Sequence, residues 1–447
     1  MIRRVGAARL GALALVVGIA VSGAPSVANA APIASRIGTV PVLAASDDGC
    51  VASTRVSDTP PALGQLQSAA AWEITKGAGV VVAVVDSGVA PNPHLDASVL
   101  PGINLVPDGT DAVARTDYYG HGTVIAGQIA AQIIPDSGVQ GLAPDAKILP
   151  IRVFAGTSQQ QKDAGFGPNT ARMADGIRIA ADLGAQIINV SMSTTAEDGN
   201  LASAVAYARD RGSLVVASAG NRDSEAAVEE DDSDGVRYPA GFRGAIGVAA
   251  TNSAGVVTSA SIRGSHVKLS APGQAIASSW PQGGDCVVSS DQPATSYAAA
   301  YVSAAAALVA SAHPDETPDQ WAYRLEATAV RGQPDARSNT SGWGVVQPYD
   351  AIVLVPGSGL RGPSSPFVSS SASPEPSGTP APVSIAVGPG PDAAAITMAT
   401  GIGAGALVLL GAIGAMAVFV SRRRDDTAAR RPAPTGRGLY GDDTATD

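Results

Sequence analysis

Residues 80–85 read VVVAVV, six apolar and mostly β-branched residues with no polar–apolar alternation. A strand with one face in water would alternate, so this run predicts a strand covered on both faces, as in a parallel sheet. Comparable runs recur at 147–153, 186–190, 214–218 and 245–250, and helical stretches lie between them at 124–134, 169–183 and 200–211. A further short helix is expected over 66–75. Strand and helix in alternation predict an α/β fold, a three-layer α/β/α sandwich around a mainly parallel, doubly wound sheet. In that architecture functional groups collect at the carboxyl ends of the strands.

The ends of the 447-residue chain have a different character. Residues 1–30 carry Arg3 and Arg4, an apolar run and a small-residue ending, Ala28-Asn29-Ala30, which is the pattern of a secretory signal peptide. The apolar run is shorter than the roughly 20 residues a membrane span needs, which argues against an anchor there. An N-terminal extension (31–62) leads into a globular domain (63–355), and a Pro/Ser/Gly-rich linker (356–392) follows it. Residues 393–420 hold no charge and are followed by Arg422, Arg423 and Arg424, so they predict one transmembrane helix with a cytoplasmic tail at 421–447. The alternative, a buried globular helix, lacks a second core to cover it. The domain is thus expected to be extracytoplasmic, on a single-pass membrane protein.

A net charge of −10 with no basic cluster beyond that membrane flank excludes nucleic acid as a partner. The two cysteines, Cys50 and Cys286, suit a disulfide in an exported chain better than a metal site, which would want four ligands. Such a bridge would pin the extension to a loop ten residues before Ser296 and brace the region in front of it.

Three segments stand where strand-end chemistry is expected. Asp86 closes the first strand in VVDSG, where the alternative is a simple Asx turn. His121 lies between glycines in YGHGT, at the start of an apolar helix. Ser296 follows Thr295 at the head of the stretch DQPATSYAAAYVSAAAALVA, whose Ala-rich run predicts a helix buried on all sides. A serine at that point either caps free backbone N–H groups or acts as a nucleophile whose oxyanion those groups stabilise. Of the other histidines, His94 and His313 read as surface turns and His266 as part of a polar loop.

Asp86, His121 and Ser296 follow the chain order of the subtilisin triad, and VAVVDSG, GHGTVIAG and ATSYAAAYVS resemble the three signatures of the subtilisin-like serine proteases. The resemblance implies a subtilisin-like fold and a Ser-His-Asp serine endopeptidase acting on protein or peptide substrates. It implies Asn221, in ASAGN, as the side-chain donor of an oxyanion hole, and Ser191, Met192 and Ser193 as the segment that pairs with substrate. The cysteine-bearing arm, Pro60-Pro61 followed by Trp72, and the C-terminal membrane helix together resemble mycosins. That implies a type VII secretion membrane complex of actinobacteria as a partner. Departures from the family pattern are Ala294 for Gly before Thr295, Ala300 for Pro, Ser193 for Gly, and fewer cysteines than mycosins often carry. A methyl group at 294 is expected to crowd the substrate strand or strain a backbone that favours Gly. No cofactor is implied; many relatives hold structural calcium, but no DxDxDG run occurs, and the acidic residues 229–232 read as a solvated face. The rival expectation is a protease-shaped scaffold of a secretion complex with little or no turnover.

Overall fold

The computed structural model describes residues 50–222, 233–368 and Met416. The expected signal peptide (1–30), the expected transmembrane segment (393–420) apart from Met416, the expected cytoplasmic tail (421–447) and the acidic residues 229–232 lie outside the described residues.

The helix expected over 66–75 is α2 (Ser68–Trp72), and a further short helix, α1 (Pro61–Gln65), precedes it. They are separated at Gln67, which takes a left-handed φ of 53°. The main sheet opens with β1 (Val81–Asp86) and β2 (Ile103–Asn104), before α3 (His121–Ala130) and β3 (Lys147–Arg152). α4 (Gln159–Asp163), α5 (Thr170–Asp182), β4 (Ile187–Val190), α6 (Gly199–Asp210) and β5 (Leu214–Ser218) continue the alternation. β6 (Ala245–Thr251), β7 (Val267–Pro272), a hairpin of β8 (Ile276–Ser279) and β9 (Asp285–Val288), α7 (Thr295–Ala312), α8 (Pro318–Thr328) and α9 (Pro348–Val353) complete it.

Among the described residues β1–β7 form one parallel sheet in the order β2-β3-β1-β4-β5-β6-β7. The reason β1 lacks alternation is visible in its packing. Val82 and Val84 face a core shared with α3 and α7, whereas Ala83 and Val85 face a second core with α5 and α6. Helix α7 is apolar and long enough to cross a membrane, yet residues 295–310 are all buried, so it is the central core helix of the domain.

Two boundaries differ from the sequence expectation at the place that matters. α3 begins at His121 rather than Val124, because Gly120 adopts the left-handed φ of 86° that turns the chain into the helix. It stops at Ala130, and Ala131 is already extended. Register then levels the strand ends: Asp86 pairs with Arg152, and Val85 with Val190. The last residue of β1, the segment after β4 and the segment after β5 therefore share one edge of the sheet.

Candidate active site

Asp86 is fully buried at the end of β1, and His121 is 15% exposed at the first position of α3. His121 Nδ1 lies 2.8 Å from Asp86 Oδ1, which also accepts the Ser87 backbone N–H at 2.8 Å. A carboxylate oxygen can only accept, so Nδ1 carries the proton and Nε2 is left as the basic nitrogen. Burial pulls the imidazole downward, but the charge and hydrogen bond of Asp86, with the charge of Asp117, outweigh it and hold His121 above its ordinary value. The rings of Tyr119 and Tyr297 flank it, with centroids 6.1 and 5.5 Å away.

Ser296 is the second residue of α7. The helix is capped from Ala294 with no side-chain hydrogen bond, so Ser296 is not used as a cap and that alternative falls away. Three contacts fix where it sits. Gln128 of α3 donates to the Tyr297 carbonyl at 3.0 Å, the Ser191 hydroxyl donates to the Ser296 carbonyl at 3.3 Å, and Asn221 Oδ1 accepts both the N–H and the hydroxyl of Thr295 at 2.9 Å each. The last pair orients Asn221: with its oxygen tied to Thr295, the amide NH₂ is the end left for a ligand. It lies beside the free N–H groups and positive end of α7. Among the described residues Ser296 Oγ and His121 Nε2 are not hydrogen bonded to each other, a contact that commonly tightens only when substrate binds. Chemically, a hydroxyl, an imidazole with an orienting carboxylate, an amide NH₂ and the free N–H groups of a helix start are groups that acyl transfer can use.

The segment expected to meet substrate leaves the sheet after Val190. Ser191 is buried, Met192 half-buried against the α5–α6 core, and Ser193 exposed. Ser193 Oγ leans over Gly220, 3.0 Å from where a Cβ on that glycine would sit. Ala294 corrects one expectation: its φ of −121° and ψ of 134° are ordinary extended values, so the methyl group causes no backbone strain. Ala300 is simply buried in the continuing α7 helix.

His94 is not a surface turn. It is fully buried, with Nε2 3.0 Å from Asp285 Oδ1 and Nδ1 against the Gln132 carbonyl. His266 is also buried, bonded to the Ala219 carbonyl, and burial lowers its imidazole. His313, half-buried, bonds the Ile352 carbonyl. Sequence could not reveal these partners, because each is remote along the chain. The disulfide Cys50–Cys286 is present, with Cα atoms 5.4 Å apart. Its neighbour Asp285 also accepts from Val56 N–H and Ser137 hydroxyl at 3.0 and 2.7 Å. The hairpin that carries Cys286 also contacts the histidine helix: Ser278 of β8 donates to the Val124 carbonyl at 2.7 Å, and the Trp280 ring covers Gly120.

The family model described as the subtilase family (peptidase S8) matches residues 77–344. Mycosin-3 of Mycobacterium tuberculosis is 34% identical over 353 residues, covering 69% of this chain and 75% of that protein. Thermitase of Thermoactinomyces vulgaris is 37% identical over 248 residues, covering 55% of this chain and 80% of thermitase. Among solved structures, that of the MycP3 protease from the type VII (ESX-3) secretion system matches with a TM-score of 0.58 at 32% identity, covering 68% of this chain and 92% of that one.

Proposed function

The chain belongs to the subtilase family and is a subtilisin-like serine protease related to mycosins, and on that premise we propose that Ser296, His121 and Asp86 perform its chemistry. His121 Nε2 takes the proton of Ser296 Oγ as the oxygen attacks a peptide carbonyl. Asp86 holds the tautomer and stabilises the imidazolium that forms. The Asn221 amide and the Ser296 N–H receive the oxyanion. His121 then returns the proton to the departing amine, and water, deprotonated by the same nitrogen, releases the acyl group. The observation that carries this is the Asp86–His121 bond at 2.8 Å, set at the strand edge where Thr295 anchors Asn221 beside Ser296.

We place the domain outside the cytoplasm, anchored by residues 393–420, on two supports: the uncharged segment followed by three arginines, and the relation to mycosin-3. The solved relative named as a type VII secretion protease supports the same setting for this chain. The Ser193 side chain over Gly220, where substrate would lie, favours a second reading in which the domain is a scaffold with little turnover. A fluorophosphonate probe decides between them. The full-length protein should label, and folded Ser296→Ala should not. Equal labelling of both would overturn the assignment of Ser296, and no labelling of wild type would favour the scaffold.

A further inference from the structure

Asp86 and His121 are 35 residues apart, on the end of a strand and the start of a helix, and their hydrogen bond does not by itself hold those two segments together. The segments approach very closely. A Cβ on Gly122 would lie 2.1 Å from the Gly88 carbonyl oxygen, so small errors in their spacing change the bond directly. Two cross-links set the spacing: Gly122 N–H donates to Ser87 Oγ at 2.9 Å, and Ala90 N–H donates to Thr123 Oγ1 at 3.0 Å. Behind both stands Asp117, four residues before His121 and 4% exposed. Its Oδ1 accepts Gly120 N–H at 2.8 Å, and its Oδ2 accepts Thr123 N–H at 2.9 Å and Thr123 hydroxyl at 2.6 Å. Gly120 has no side chain with which to cap α3, so Asp117 satisfies the free N–H groups of the helix in its place.

We infer that Asp117 is a positioning residue of the reaction proposed above: it locks the first turn of α3, through Thr123 to the Ala90 loop, and so sets the Asp86–His121 contact. The inference rests on the proteolytic reading. Burial pushes the Asp117 carboxyl above its ordinary value, while the donors around it, Gly120 N–H and the N–H and hydroxyl of Thr123, favour the carboxylate, whose negative charge reaches His121 as a second one after Asp86. The remaining groups around that ring are few. Arg152 of β3 is turned to the Ser87 carbonyl and Asp108, Tyr119 precedes α3, Tyr297 and Tyr301 come from α7, and β8 carries no titratable side chain. Asp117 therefore acts in two separable ways, by geometry and by charge.

The test follows fluorophosphonate labelling rate against pH in the full-length protein, for wild type, Asp117→Asn, Thr123→Val and Thr123→Ser. Asp117→Asn should lower the plateau rate by about 10- to 100-fold, the scale of a misplaced catalytic group. It should also move the acid limb to lower pH, because removing a nearby negative charge makes the imidazolium a stronger acid. Thr123→Val keeps the charge and breaks the link, so it should lower the plateau without moving the limb, and Thr123→Ser should match wild type. A folded Asp117→Asn with wild-type plateau and limb overturns the inference. If that variant does not fold, Thr123→Val decides: a wild-type plateau overturns the inference and a lowered one sustains it. Absence of labelling in wild type instead overturns the proteolytic reading on which it rests.

Discussion

Thr295→Val is the substitution whose effect on turnover the geometry allows to be worked through. Thr295 is fully buried, and its hydroxyl does two things: it donates to Asn221 Oδ1 at 2.9 Å and lies 2.6 Å from Ser218 Oγ. Valine keeps the shape and removes both contacts, while the Thr295 N–H bond to Asn221 survives. One buried hydrogen bond is worth about 1 to 1.5 kcal/mol net, so an amide held by one bond instead of two should spend up to about 5- to 10-fold less time in the productive orientation, the full factor applying where that orientation becomes the minor one. Turnover should fall by up to that factor. Asn221→Ala removes the donor altogether and should cost about 100- to 1,000-fold in kcat, a range known from a subtilisin rather than worked out from this chain. If Thr295 acts through Asn221, the valine substitution should add nothing, within about 2-fold, in the Asn221→Ala background, a coupling of roughly 1 kcal/mol. The assay is kcat on a chromogenic peptide for all four proteins, with burst titration of active sites to correct for misfolded material. Stability should drop by about 1 to 2 kcal/mol in both valine proteins, since Ser218 keeps only the 3.2 Å bond from Gly220 N–H. An undiminished effect of Thr295→Val in the absence of Asn221 would refute the reasoning and make Thr295 an independent contributor.

The direction of the His121 shift puts the acid limb of kcat/KM above the ordinary histidine value of about 6.5, because the base must lose its proton to act; a midpoint below that value would contradict the Asp86 and Asp117 charges as its cause. The same shift means that the protonated pair stabilises the fold at low pH, a contribution lost as pH rises through the folded value. Burial pushes the Glu326 carboxyl up to about 7, against Lys268, Arg337 and a hydrogen bond with Trp343. The folded state thus binds the proton more tightly than the unfolded one, and stability falls as pH rises between the two values; Glu326→Gln should gain up to about 3 kcal/mol relative to wild type between pH 4.5 and 8, and equal melting differences at both ends would refute it. The disulfide closes a separation of 236 residues, so the double variant Cys50→Ser/Cys286→Ser should lose at most about 5 kcal/mol, read as a lower denaturant midpoint; an unchanged midpoint would show that the buried Asp285 contacts alone hold the arm.

What the chain declares locally, its sequence determined by itself. The unalternating run at 80–85 required a strand covered on both faces, and the Ala-rich run after Ser296 required a helix without a wet side, because side-chain period and burial are set within a few residues. Glycines around His121 and the chain order Asp86, His121, Ser296 were legible for the same reason, since they are properties of short motifs. Tertiary structure decided everything that depends on a partner far along the chain. His94 reads as a turn residue after Pro93, and only the arrival of Asp285, 191 positions later, buries it. The donors of Asp117 are near in sequence, Gly120 and Thr123, but its burial and the link through Thr123 to Ala90, 33 positions away, exist only once α3 packs against the end of β1. A hydrogen bond in a water-poor interior gains most of its value from the exclusion of competing water, and that exclusion exists only once the layers have packed.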